Sequence, residues 1–377
     1  MIDIFRNLLH FLKFKKTCVE DLAFRLHCKY TSMLLLFCFL IVTTKQIVGE
    51  PIDCDSNRDF VKGSVLNTYC LIHHTYLIRN AFNRQLGKEV AYPGLREGTD
   101  EIKYPYYQWI WFIYFIEALF FYTPHWFWKN LESETMDRLL NWECHHNQKD
   151  SRCLNRCRKT HISKCLVKYR KYDSYARNYL SCSLLALFNA FLQIFLIDLL
   201  FNGEFYSYGL NVFSFILSEP ESKRDALTRV FPKMTKCMFH KYGSGGSIQT
   251  FDSLCILPLN MYNEKIFIFL WFWFAIISVV LMIKIAINVT ILFSPYLRSY
   301  YFKRTFPATK SMTEDFDLRK VSFGQLFMLF LIKENKGIEF TNKVIDEVLP
   351  YICGKISSKG RNNSTLISKV DKHEEIV

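Results

Sequence analysis

Nothing in this chain of 377 residues forms a recognisable catalytic grouping. It has no Gly-x-Ser-x-Gly elbow, no His-Glu-x-x-His pair, no kinase-type set and no carboxylate pair at a working spacing, so the expectation is not an enzyme. Gly243, Gly245 and Gly246 are not followed by Gly-Lys-Ser/Thr and open no helix, which excludes a phosphate-binding loop. Internal repeats and low-complexity tracts are absent. Acid is scarce as well: 35 Asp and Glu stand against 48 Lys and Arg, a formal charge of +13. With no nucleic-acid motif beside it, that excess reads as membrane topology and attraction to anionic lipid, with no nucleic-acid partner.

Charge, proline and glycine are rarest in four long runs, Tyr30–Val48, Tyr106–Trp128, Leu180–Phe201 and Ile266–Phe293. A bilayer asks for about 20 apolar residues per spanning helix, and each run meets that length. Aromatic residues gather near the ends of the runs at Tyr106, Trp109, Trp126, Trp128, Trp271 and Trp273. Amphipathic rings favour that interfacial position. The first run follows a long, charged segment of 29 residues and precedes Gly49-Glu50-Pro51, a poor cleavage site, so it is read as retained.

Lys and Arg near the membrane orient such a chain. Residues 1–29 carry six bases against three acids, 129–179 carry twelve against six, and the tail after Phe293 carries fourteen against ten. The fold class expected is thus an all-α membrane protein with four transmembrane helices and short β elements in its outer loops. The segments are 1–29 (cytoplasmic), 30–48 (span), 49–105 (outer loop), 106–128 (span), 129–179 (cytoplasmic), 180–201 (span), 202–265 (outer loop), 266–293 (span) and 294–377 (cytoplasmic).

Of thirteen cysteines, each outer loop holds two: Cys54 and Cys70, then Cys237 and Cys255. The oxidising exterior favours disulfides there, and the cytosol keeps the other thiols reduced. Four cysteines allow three connectivities, and spacing does not choose among them. Around Gly243–Gly246 two semi-alternating runs read as a turn or hairpin.

Three charges inside the spans need an account. Lys45 lies near the outer end of the first, where a long side chain snorkels. Glu117 lies about 16 Å into the second at ~1.5 Å per residue. At that depth a carboxylate facing lipid is costly; it either packs between helices or serves gating. Lys284 is about 10 Å deeper by the same rise, which argues against a direct pair with Glu117. Pro124 removes one helical hydrogen bond, giving either a gating hinge or a fixed kink. Pro105 suits a first helical turn.

In the middle loop, Cys144, His145, His146, Cys153, Cys157, His161 and Cys165 include a four-residue spacing on one helix face. The close Cys-x2-Cys knuckle of zinc sites is missing, so no metal is assigned and reduced thiols are expected. No cofactor is expected either. The C-terminal segment reads as helical to about Cys353, then polar and unfolded from Ser357.

The stretches YYQWIWFIYFIEALFFYTPHWFWKNL at 106–131 and, over 230–274, VFPKMTKC through CILPLN to the helix NEKIFIFLWFWF resemble the innexins. These are the gap-junction channel proteins of invertebrates, some carried by insect viruses. Connexins place three cysteines in each outer loop, tetraspanins a Cys-Cys-Gly and claudins a Trp…Cys…Cys; none of these patterns is present. Pannexins share the two-cysteine plan but fit YYQW, PHWFWK and FPKMTKC less well. The resemblance implies bonds between loops, Cys54 with Cys255 and Cys70 with Cys237. It implies an octameric ring of innexin subunits, homomeric or mixed, docked to a ring on the adjacent cell at the plasma membrane. It also implies that the outer end of the first span faces the pore, which makes Thr43, Thr44 and Lys45 pore candidates, with lipid snorkelling the rival for Lys45. Relatives carry a neutral Gln where this chain has Glu117. The N-terminal stretch Ile2…Leu12, amphipathic at helical spacing, would line the pore mouth or lie on the membrane. Neither outer loop has a glycan acceptor sequon, which favours docking. The alternatives are a non-junctional hemichannel and a modulatory subunit that does not conduct alone.

Overall fold

The structure is a computed structural model that describes residues 17–56, 61–82, 84, 87–141, 151–168, 172–217, 228–307 and 317–353. The stretch 2–12, Cys144, His145, His146 and the tail from 357 lie outside the described residues. The chain divides into two compact units, one of Asp21–Trp128 with Ser181–Ile285, the other of Met1–Glu20, Lys129–Leu180 and Ala286–Val377.

The first unit is built on helices. Helix α1 (Leu22–Val48) begins eight residues before the apolar run. Asp21 caps it by accepting from the Phe24 amide at 2.9 Å, and Phe24, His27 and Cys28 are buried although Arg25 and Lys29 break the apolar pattern. Its residues Leu26–Tyr30 form a π-turn. Helix α2 (Gly63–Ile72) was not foreseen in the first loop. Helix α3 (Ile110–Glu132) is preceded by a tight turn at Tyr106–Gln108 that Pro105 caps, so the proline stands before the helix rather than in its first turn.

Further along come α4 (Thr135–Leu140), α5 (Ser151–Lys168), α6 (Tyr172–Leu200) and α7 (Phe205–Leu217). Helix α8 (Pro258–Phe293) has 36 residues and starts before the apolar run. Among the described residues three helices, α1, α6 and α8, are long and apolar enough to cross a membrane. Four were expected. Helix α3 is 23 residues long, about 34 Å by helical rise, but Glu117, Pro124, His125 and its tyrosines and tryptophans lower its apolarity.

Helices α3 and α8 run parallel in a fixed register. Tyr114 stacks on Phe267 at 5.3 Å between ring centres, and seven residues on Phe121 stacks on Phe274 at 5.1 Å. Helix α1 joins them through Ser32, which donates to the Ala118 carbonyl at 2.8 Å, and through Trp273, whose indole N–H donates to Thr31 at 2.9 Å. At Gly209 a Cβ would lie 2.0 Å from the Trp271 ring, so only glycine lets α7 approach α8 that closely.

One sheet carries both loops. Its strands are β1 (Asp53–Cys54), β2 (Thr75–Ile78), β3 (Glu101–Tyr104), β4 (Met234–Tyr242) and β5 (Ile248–Ile256), in the order β1-β5-β4-β2-β3. Neighbouring strands pair antiparallel, with Cys54 opposite Cys255, Tyr76 opposite Lys236 and Phe239 opposite Phe251. Strands β4 and β5 form the expected hairpin. Its turn closes with Gly243 N–H donating to the Ser247 carbonyl at 2.8 Å, and Gly246 takes φ +75°, which glycine adopts without steric cost.

The second unit holds α4, α5, α9 (Pro295–Thr305), α10 (Phe323–Lys336) and α11 (Ile338–Cys353). The helical C-terminal region thus runs to Cys353, as the sequence suggests. A capping box joins Ser322 and Gln325 at the start of α10. Gly324 N–H donates to Asp173 at 2.7 Å, and a Cβ there would lie 2.3 Å from the Tyr172 carbonyl carbon. Ser163 of α5 donates to Glu347 of α11 at 2.9 Å. The Asn335 side chain brackets Cys18, accepting from its N–H and donating to its carbonyl, each at 2.6 Å.

Candidate functional site

The candidate site is the disulfide-clamped sheet and the helix ends beneath it. Cys54 is bonded to Cys255 and Cys70 to Cys237, spanning 201 and 167 residues of chain. Both bonds join the 49–105 segment to the 202–265 segment, in the connectivity the resemblance implies. The first links residues directly opposite on β1 and β5; the second links α2 to β4. All four cysteines are buried.

The Tyr-Tyr-Gln run before α3 has a physical job that its sequence did not reveal. The Tyr106 hydroxyl donates to the Val230 carbonyl, Tyr107 to the Cys70 carbonyl at 2.7 Å, and the Gln108 amide to the Ile72 carbonyl at 3.1 Å. Three consecutive side chains therefore tie the entry of α3 to both segments. Beside them Tyr104 donates to the Arg229 carbonyl at 3.0 Å. Lys236 pairs with Asp252 at 2.6 Å, and Tyr76 donates to the same carboxylate at 3.4 Å. Burial first, then Asp252, pushes the Tyr76 hydroxyl up to about 12, so it remains a neutral donor.

Of the pore candidates, Thr43 is half-buried, while Thr44 and Lys45 are exposed in the single chain. Thr44 donates to the Leu40 carbonyl at 2.7 Å. The Lys45 ammonium sits 5.3 Å from the centre of the Tyr262 ring at the start of α8, a cation–π contact worth about 0.5–1 kcal/mol at an exposed site. The structure does not group Glu117 with them. Glu117 is 3 % exposed, on the face of α3 that also buries Tyr114, Ala118 and Phe121, and one carboxylate oxygen has no hydrogen-bond partner. Lys284 pairs instead with Asp21, at 3.5 Å. Pro124 is interior to α3 and leaves the Phe120 carbonyl without its helical donor.

On α5 the His161 and Cys165 side chains approach to 3.7 Å. Cys157 is disulfide-bonded, which corrects the expectation of a reduced thiol at that position, a state the cytosol alone would favour, whereas Cys165 is a free thiol as expected. Among the described residues the one cluster with metal-ligand chemistry is Cys54, Cys70 and Cys255, and all three sulfurs are in disulfides.

Comparison with known proteins agrees with this architecture. Residues 20–351 match the family description Innexin. Innexin shaking-B of Drosophila melanogaster is 38% identical over 357 residues, covering 92% of this chain and 94% of the relative. Innexin inx2 of Schistocerca americana is 39% identical over 365 residues, covering 94% and 99%. Innexin inx1 of the same species is 37% identical over 372 residues, covering 96% and 100%. With that coverage, three apolar helices and two bonds clamping a shared sheet, the chain belongs to the innexin family and is a subunit of gap-junction channels in the plasma membrane.

Proposed function

We propose that α3 is a fourth membrane span and that copies of the chain close into an octameric ring docked to a second ring on the adjacent cell. The ring passes ions and small molecules by diffusion, and no covalent chemistry is needed. Support for the fourth span comes from its surface: Phe112, Phe115, Leu119, Phe120, Trp126 and Phe127 are exposed in the single chain. An apolar face of that extent requires lipid or a neighbouring subunit. Closed head-to-tail assembly leaves no such face unmatched. Thr43, Thr44 and Lys45, at the end of α1, line the pore in this reading.

The observation that carries docking is the hairpin. Tyr242 and Ile248, flanking its turn, are 72% and 63% exposed, on a sheet held rigid by two disulfides. Exposed apolar groups on a rigid rim suit contact with another protein. Replacing Gly243–Gly246 by a glycosylated insert is expected to abolish conductance between paired cells while single-cell membrane current survives. Loss of both currents with normal surface delivery would contradict docking through this turn. Single-cell dye uptake without cell-to-cell transfer in the unmodified chain would favour the hemichannel alternative. Activity only when co-expressed with another innexin would favour a modulatory subunit.

A further inference from the structure

The two disulfides are not independent clamps. The Sγ atoms of Cys54, Cys70 and Cys255 all lie within 4.8 Å of one another, although they belong to two different bonds. Strand β1, helix α2 and strand β5 bring them together: Cys54 and Cys255 are cross-strand neighbours, and Cys70 is in the last turn of α2. Cys237, the fourth sulfur, is outside that triad; it sits on β4 opposite Ser253, two residues from the strand position that faces Cys255. Cys70, Cys237 and Cys255 have no exposed surface and Cys54 has 5 %. A thiolate formed at Cys70 lies within 4.8 Å of both sulfurs of the other disulfide.

Thiol–disulfide exchange needs a thiolate beside a disulfide sulfur and changes no net oxidation state. We propose that the two bonds form one exchange unit, in which a thiolate released at Cys70 attacks the Cys54–Cys255 bond. Attack on Cys54 forms a Cys54–Cys70 bond and releases Cys255 as thiolate, which takes up a proton. Attack on Cys255 forms Cys70–Cys255 and releases Cys54 in the same way. The starting thiolate arises when local opening of the sheet admits an extracellular dithiol, which reduces Cys70–Cys237 and is itself oxidised to its disulfide, leaving Cys237 as a thiol. The Cys54–Cys70 product lies wholly within the 49–105 segment, so one reduction there would remove both covalent links to β4 and β5. The proposal rests on the reading that this sheet faces the extracellular side. Its test is chemical and does not depend on docking.

The test maps disulfides in the full chain, trapped at low pH with N-ethylmaleimide and digested for mass spectrometry. In Cys237→Ser, Cys70 is expected in a bond with Cys54 or Cys255 in the majority of molecules, with the displaced cysteine alkylated. In Cys70→Ser the remaining thiol is Cys237, outside the triad, and Cys54–Cys255 should stay intact. An alkylated Cys70 beside an intact Cys54–Cys255 bond in Cys237→Ser would overturn the proposal. If that variant does not accumulate, the unmodified protein treated with limiting dithiothreitol serves. Bonds from Cys70 to Cys54 or Cys255 should appear before full reduction. A passage from native bonds straight to fully alkylated pairs would overturn it equally.

Discussion

Serine at Cys70 or Cys255 is expected to abolish conductance between paired cells, whereas Cys165→Ser on α5 should leave it within twofold of the unmodified chain. Each of these bonds closes more than 160 residues of chain, and removing a native disulfide from a small secreted domain typically costs about 2–5 kcal/mol. The loss should fall on the sheet. Strand β1 has two residues and is held to β5 by that one cross-strand bond and a short ladder, and α2 is held to β4 through Cys70. Cys165 is a half-buried thiol outside both bonds. Paired-cell recording with surface biotinylation checks the contrast. Unchanged conductance from Cys70→Ser would show that the sheet does not need its second clamp.

The second large effect concerns Glu117. Glu117→Gln should preserve assembly and surface delivery, whereas Glu117→Lys should abolish delivery. The side chain is buried on the face of α3 that also buries Tyr114, Ala118 and Phe121, with one carboxylate oxygen unpartnered. A neutral amide fits the same volume. If α3 spans the membrane as proposed, a lysine at its middle costs about 2.5–3.5 kcal/mol on insertion scales, and the α3–α8 contact beside it is built of stacked aromatic rings. Surface biotinylation of both variants reads the outcome. Normal delivery of Glu117→Lys would mean that the side chain reaches water, which would move Glu117 from the packed interior to the pore.

How much of this was legible in the residues depended on range. Local signals worked: apolar length found α1, α6 and α8, and the glycines at 243–246 marked the hairpin turn. Helix starts were placed late because the extra turns are polar in composition yet buried by contact. Asp21 caps α1 ahead of Tyr30, and Asn260, Asn263 and Glu264 are all buried in the first turns of α8. Helix α2 and the joining of both segments into one sheet were not readable. They depend on pairings such as Tyr76 with Lys236, 160 residues apart, for which no local pattern exists. The role of Tyr106, Tyr107 and Gln108 was hidden for the same reason. Their sequence marks the family, but their partners are backbone carbonyls at Val230, Cys70 and Ile72. Glu117 was legible as an anomaly from its depth alone, and its burial shows which way it faces in the single chain.

The central claim is that this chain joins cells, and dual whole-cell recording tests it most directly. Two cells of an otherwise uncoupled line, each expressing only this chain, should acquire a junctional conductance. A small fluorescent dye injected into one should appear in the other. Absence of both, with the protein shown at the contact between the cells, would contradict the account.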